Sequence, residues 1–156
     1  MTEPADIARE VITTNRYMVL GTADADGNPW VTPVYFTADE FTDFYWVSSP
    51  TTLHSANVAV RPRISIAIFD STVRIGGAQA VYMTASAALV PDDELEAAAA
   101  IYNSSLPTEK RIEPAELRAP GLFRLYRATA SEHSILIRGG DPRYGRGADS
   151  RLRVTL

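Results

Sequence analysis

The chain has 156 residues, 46% of them apolar and 22% charged, a balance that suits one globular domain over 1–156 with its own core. A formal net charge of −4 excludes a general basic field for nucleic acid or an anionic membrane, so any anion site has to be local. Without cysteine there is no disulfide, thiolate metal site or cysteine nucleophile; only His54 and His133 could offer imidazole, no metal site is expected, and a polar, acidic start with no long apolar run predicts a cytoplasmic location.

In chain order, Thr2-Glu3-Pro4 opens a helix in which Thr2 can cap, and apolar Ile7, Val11 and Ile12 carry it to about Asn15. Tyr17 to Ala23 reads as a strand, Asp24 to Asn28 as a turn with an Asp-Gly signal, and Trp30 to Thr37 as the returning strand. Pro33 cannot donate to a ladder, so it marks an edge, a bulge or an opening in the sheet. Asp39-Glu40 is a turn before a strand at Phe44 to Val47, and a short helix from Leu53 ends at Arg61-Pro62. Arg63 to Phe69 follows as a strand with Ile64, Ile66 and Ile68 on one face.

Asp70 to Gln79 is a loop, and Ala80 to Val90 a long strand with Val81, Met83, Ala85 and Ala87 on one face. Pro91-Asp92-Asp93-Glu94 starts a helix reaching about Tyr102, where Ala97 to Ala100 reads as helix propensity alone. A single turn around Ala115, a strand at Leu122 to Ala128, a polar turn at Thr129 to Glu132, a strand at His133 to Ile137, a loop from Gly139 and a last short strand at Arg151 to Leu156 complete the chain. The result is mainly β (α+β): six or seven antiparallel strands in meander order with short peripheral helices, closing most easily as a small barrel.

The segment that carries chemistry is Ser48-Ser49-Pro50-Thr51-Thr52 before the helix at Leu53, with His54 and Asn57 on one helix face and Arg61 a turn beyond. Hydroxyls and free N–H groups at a helix start attract anions, and phosphate is the natural guest. The same hydroxyls serve equally as ordinary caps, and His54 as a surface histidine. Trp30, Tyr35 and Trp46 could stack on a ring, belong simply to the core or line a contact with a second copy; the acidic runs Asp24/Asp26 and Asp92 to Glu94 belong to a turn and a helix start. The tail arginines Arg138, Arg143, Arg146, Arg151 and Arg153 could clamp an anion, although a solvated terminus is the commoner case.

Three ordered motifs, Gly27-Asn28-Pro29-Trp30-Val31-Thr32-Pro33-Val34, then Trp46-Val47-Ser48-Ser49-Pro50 with His54-x-x-Asn57, then Arg61-Pro62-Arg63-Ile64-Ser65-Ile66, together resemble the pyridoxamine 5'-phosphate oxidase-like flavoproteins. The resemblance implies a split β-barrel that binds flavin mononucleotide (FMN) at the interface of a homodimer. It implies a ring site along Thr32, Pro33, Val34 and Tyr35 with Val47, Ser48 and Ser49, a phosphate site at Ser49, Thr52 and His54 with Asn57 nearby, and a contact from Gln79 of the second copy. The activity implied is that of a flavin-dependent oxidoreductase acting on a small molecule, with no catalytic side chain assigned; a deazaflavin-dependent reductase, or a non-catalytic flavin- or haem-binding carrier or sensor, are the alternatives. Two departures matter. Relatives carry lysine or arginine where Leu53 and His54 stand, and no histidine follows His133, which removes the arginine–histidine motif of the vitamin-oxidising members.

Overall fold

The computed structural model describes residues 2–156. Its strands are β1 (Tyr17–Ala23), β2 (Pro29–Tyr35), β3 (Thr37–Asp39), β4 (Asp43–Ser48), β5 (Arg63–Phe69), β6 (Ala80–Leu89), β7 (Arg124–Ile137) and β8 (Ser150–Val154). They form one antiparallel sheet in the order β2-β1-β5-β6-β7-β4-β3, with β8 pairing β7 off that path. The expected mainly β, antiparallel architecture is therefore what the chain adopts, with eight strands in place of six or seven.

Two departures from the expected strands lie at bends. The strand expected over Trp30 to Thr37 breaks at Phe36 into β2 and β3, and these become the two ends of the sheet. Because one buried residue joins the two end strands, the sheet must curl until its ends meet. The opposite holds for Arg124 to Ile137, where a turn at Thr129 to Glu132 was expected and a single continuous strand is found. That stretch contains no glycine or proline to stop it, and its irregularity is absorbed as a bulge: Ala85 pairs Ala130, Thr84 pairs Glu132, and the intervening Ser131 hydroxyl donates to the Thr84 carbonyl at 3.1 Å. One edge of β7 follows β6, while the other pairs β4 through Arg124 to Thr129 and β8 through His133 to Ile137.

The alternation read from sequence holds. Met18 and Leu20, then Ile64, Ile66 and Ile68, then Val81, Met83, Ala85 and Ala87 all point into one buried core. Helix α1 (Pro4–Thr14) adds Ala8, Val11 and Ile12 to it; its cap is Glu3, not Thr2, and Glu3 caps without a side-chain hydrogen bond. Helix α3 (Leu95–Ser104), entered through a 3₁₀ turn at Asp92–Glu94, lies on the other face of β4 and β7, where Leu95, Ala98, Ala99 and Tyr102 enclose Tyr45 and Leu125. The alanine run thus does more than favour helix: Ala98 and Ala99 are buried, and their small size lets α3 lie close to the sheet. The expected turn around Ala115 is a 3₁₀ turn, Pro114–Leu117, held by a Glu113/Glu116 capping box.

Glu40 and Phe41, between β3 and β4, have φ of 47° and 57°, so both central residues of this tight turn are left-handed without being glycine. Phe41 is held there by packing on the core and by its carbonyl, which His133 Nε2 approaches at 2.7 Å. Exposed Glu40 has no such tie to a ring or core. Replacing Glu40 by asparagine, which tolerates this backbone better, is expected to raise the thermal midpoint by about 2–4 °C for about 1 kcal/mol of relieved strain. Calorimetry with unchanged far-UV dichroism checks it, and a lower midpoint would show that this turn is not strained.

Candidate functional site

The site begins with a seam in the sheet. β2 is hydrogen-bonded to β1 on one edge only, and Pro33 sits on it opposite Val19, as a proline on an edge strand should. β3 covers β4 only as far as Tyr45, so Trp46 to Ser48 run beyond its cover. β2 lies in contact with β4 but does not pair with it, so alternate backbone N–H and C=O groups of β2 face away from β1. The seam runs between β2, which carries Thr32, Pro33, Val34 and Tyr35, and the end of β4, which carries Val47 and Ser48. Immediately after β4, Ser49 to Thr52 lead into helix α2 (Leu53–Val60).

Here the polar side chains are tied to one another. Thr52 caps α2, its hydroxyl oxygen accepting from the Ser55 N–H at 3.3 Å. The Ser49 and Thr51 hydroxyls lie 2.8 Å apart on the exposed surface, and Thr51 N–H donates to Ser49 Oγ at 3.3 Å. His54 turns inward: its Nε2 is 2.7 Å from Ser48 Oγ and 3.3 Å from Thr52 Oγ1, and the residue is only 6% exposed. It is not the surface histidine the sequence also allowed. Burial pushes its pKa below the ordinary 6.5, so the ring is neutral near pH 7 and orients hydroxyls without supplying charge.

Asn57 is buried as well, and its amide donates to Thr22 Oγ1 at 3.0 Å, with that hydroxyl 3.4 Å from the Trp30 carbonyl. A polar chain therefore pins α2 to β1 and β2. Thr22 and Ser55 are the members that sequence reasoning missed; Ser55, three residues after the Thr52 cap, carried the only local signal. Arg61 leaves this face altogether and donates to the Asp24 and Ala25 carbonyls at 2.6 and 2.9 Å, bracing the β1–β2 turn.

The remaining expected residues disperse. Tyr35 packs edge-on against Tyr102, with ring centroids 5.9 Å apart, and its hydroxyl is 2.9 Å from Ser105 Oγ. Burial, reinforced by the neighbouring tyrosines Tyr35 and Tyr17, pushes the Tyr102 phenol up to about 12. Trp46 is fully buried and stacks on Tyr126 at 5.5 Å, which removes it from any contact with a second copy; Trp30 remains half exposed. Gln79 precedes β6, where the row Ala80–Phe69 and then Tyr17–Tyr35 crosses four strands. Three strand spacings, about 14 Å, separate it from the seam.

A curled antiparallel sheet whose end strands adjoin without pairing is a split barrel. The family model described as pyridoxamine 5'-phosphate oxidase matches residues 5–134, and the chain belongs to that family. No curated protein sequence matches it. Among solved structures it resembles a haem-binding protein from Mycobacterium smegmatis, with 20% identity and a TM-score of 0.70 over 98% of this chain; the chain spans only 59% of that protein. It also resembles the haem storage protein HutZ of Vibrio cholerae, at 18% identity and TM-score 0.68 over 94% of this chain and 99% of that one. A FAD-binding protein from Mesorhizobium loti matches at 22% identity and TM-score 0.67, over 86% of this chain and 93% of its own. Among the described residues, no helix is long and apolar enough to cross a membrane.

Two tests follow from the buried polar chain. Asn57→Ala leaves the Thr22 hydroxyl without its donor and is expected to cost about 2 kcal/mol, read as a thermal midpoint lower by roughly 4–8 °C. An unchanged midpoint would mean that Asn57 does not anchor α2. Burial lowers the pKa of His133 also, despite its bond to the Phe41 carbonyl, so below about 6.5 the unfolded chain binds more protons than the folded one at both histidines. Stability is complete above that pH and falls as the medium is acidified through it. The midpoint should drop between about pH 7.5 and about pH 5.5, and a His54→Gln/His133→Gln variant should show a shallower drop.

Proposed function

We propose that the chain is a homodimeric flavoprotein that binds FMN in the β2–β4 seam and works as a flavin-dependent oxidoreductase on a small molecule. The observation that carries this reading is the union, in a member of this family, of an unpaired β2 edge with an exposed hydroxyl cluster at the start of α2. Amide edges on β2 suit the carbonyl and N–H rim of a planar ring. Ser49, Thr52 and the first N–H groups of α2 suit a phosphate without a lysine or arginine. The fit is neutral in character: His54 sets the Ser48 and Thr52 hydroxyls, and Asn57 fixes the helix that presents them.

The flavin, when bound, supplies a site that accepts and returns hydride. The chain's own part is to orient the ring through backbone groups near Pro33 to Tyr35, and no side chain is assigned as acid or base. Val47 and Tyr35 back the seam by packing toward α3. Gln79, about three strands from the seam, reaches a bound ring only from a second copy. The outward faces of β1, β2 and β5 offer such a copy the exposed Tyr17, Val31 and Phe69. The substrate is not pyridoxamine phosphate in this reading, because the tail provides arginines and no histidine.

A haem-binding carrier is the second reading, favoured by the two haem proteins among the similar structures. Against it, both imidazoles have Nε2 engaged, His54 with Ser48 and His133 with the Phe41 carbonyl. Titration of the flavin-free protein with FMN, deazaflavin and haemin separates the possibilities by flavin absorbance, heat and the Soret band. We expect FMN to bind, Ser49→Ala to weaken it about three- to tenfold, and riboflavin, lacking phosphate, to be indifferent to that change. Silence on FMN titration, or a monomer by light scattering at micromolar concentration, sinks the proposal.

A further inference from the structure

A second concavity, of about 460 Å³, lies on the outward face of the sheet, away from the β2–β4 seam. Apolar Val19, Val31 and Ala67 line it, with Gly21 at its base. A Cβ on Gly21 would stand 2.5 Å from Ser65 Oγ, a hydroxyl that a rotamer change can move aside, so the missing side chain leaves room at the base of the hollow. Its far wall is β8, which lies beyond the family match at residues 5–134 and delivers Arg151 and Arg153.

The two arginines differ. Arg153 is ion-paired with Glu132. Arg151 has no carboxylate partner among the described residues; its guanidinium lies over the Tyr82 ring, 4.1 Å from the centroid. The cation–π contact restrains the guanidinium, and with no hydrogen bond or ion pair to a protein group among the described residues its N–H donors suit bidentate contact with an oxyanion. The charged groups around the hollow, Arg151, Arg153 and Glu132, sum to +1, with His133 neutral, in a chain whose net charge is −4.

We propose that this groove is a ligand site for a small apolar molecule bearing one oxyanion, a carboxylate or phosphate monoester, whose anionic end is held by Arg151 and whose body lies along Val19, Val31 and Ala67. The volume matches a one- or two-ring compound. Val31 lies also on the face offered to a second copy, so the groove takes a ligand where that copy leaves it uncovered. The site needs no flavin, so it stands apart from the function proposed above.

The test is an NMR titration of the full-length protein as purified, with naphthalene-2-carboxylate, naphthyl phosphate and the uncharged naphthalene-2-carboxamide. Expected are amide shifts at Gly21, Ser65, Thr84 and Arg151 with both anions, at least about tenfold weaker binding of the amide, and a comparable loss in Arg151→Gln but not in the tail control Arg146→Gln. Stronger binding of the carboxylate or of the phosphate tells which oxyanion the groove prefers. Ala67→Leu, which fills the floor, should abolish binding of all three. Equal binding of amide and anions, indifference to Arg151→Gln, shifts mapping elsewhere, no binding at all, or the same residues shifting on protein concentration alone, as a second copy filling the groove would cause, overturns the proposal.

Discussion

The two outermost strands of this sheet are separated in the chain by one residue, Phe36, and most of the architecture follows from that constraint. A sheet of eight twisted strands cannot stay open when its first and last members are covalently adjacent, so it curls. Yet β2 and β3 cannot pair with each other either, because they run on in nearly continuous direction through Phe36. Closure is therefore achieved through the chain and through β3's bonds to β4, while β2 keeps a free edge against β4. The seam is a consequence of connectivity before it is a feature of any ligand, and the same geometry explains why a proline is tolerated at position 33.

What makes the seam usable is the polar chain beneath it. Burying an amide, an imidazole and several hydroxyls in one place costs free energy unless each finds a partner, and here Asn57 meets Thr22 while His54 meets Ser48 and Thr52. That satisfaction fixes α2 against β1 and β2, so the exposed Ser49–Thr51 pair stands on a rigid base. It also changes the chemistry attributable to the motif. A neutral, enclosed His54 acts by orientation, and an oxyanion near it would be met by dipoles and hydroxyls.

Much of this was legible because it is periodic. Alternation over Arg63 to Phe69 and Ala80 to Val90 set the inward faces, and the Asp-Gly turn marked the first hairpin. What was hidden is what period cannot encode. The break at Phe36 has no glycine or proline beside it, and depends on the left-handed Glu40–Phe41 turn that sends β4 back. Ser131 reads as turn chemistry but is a bulge held by Thr84, a tertiary partner far away in the chain. The site motif was visible as a row of hydroxyls, whereas its division into an exposed pair and a buried chain depended on Thr22, on a different strand. Trp46 shows the same limit: its residue type suits an interface as well as a core, and only its stacking on Tyr126 decides for the core.

Charge gives the last step. A protein with net charge −4 repels anions over most of its surface, so any anion it holds must be met by groups fixed in advance at short range. The two anion sites proposed for this chain differ in how they are built. At the start of α2 the donors are neutral and backbone-based, which suits a group that stays bound and whose charge must not be over-stabilised. On β8 the donor is one exposed arginine held over Tyr82, an isolated charge whose pull salt weakens and a single substitution removes. β1 and β6 contribute to both the core and the outward groove through alternate residues. A molecule in that groove would bear on β1, the strand that pairs with the seam's β2, so the two proposed sites would meet through one strand pair and not through a shared side chain.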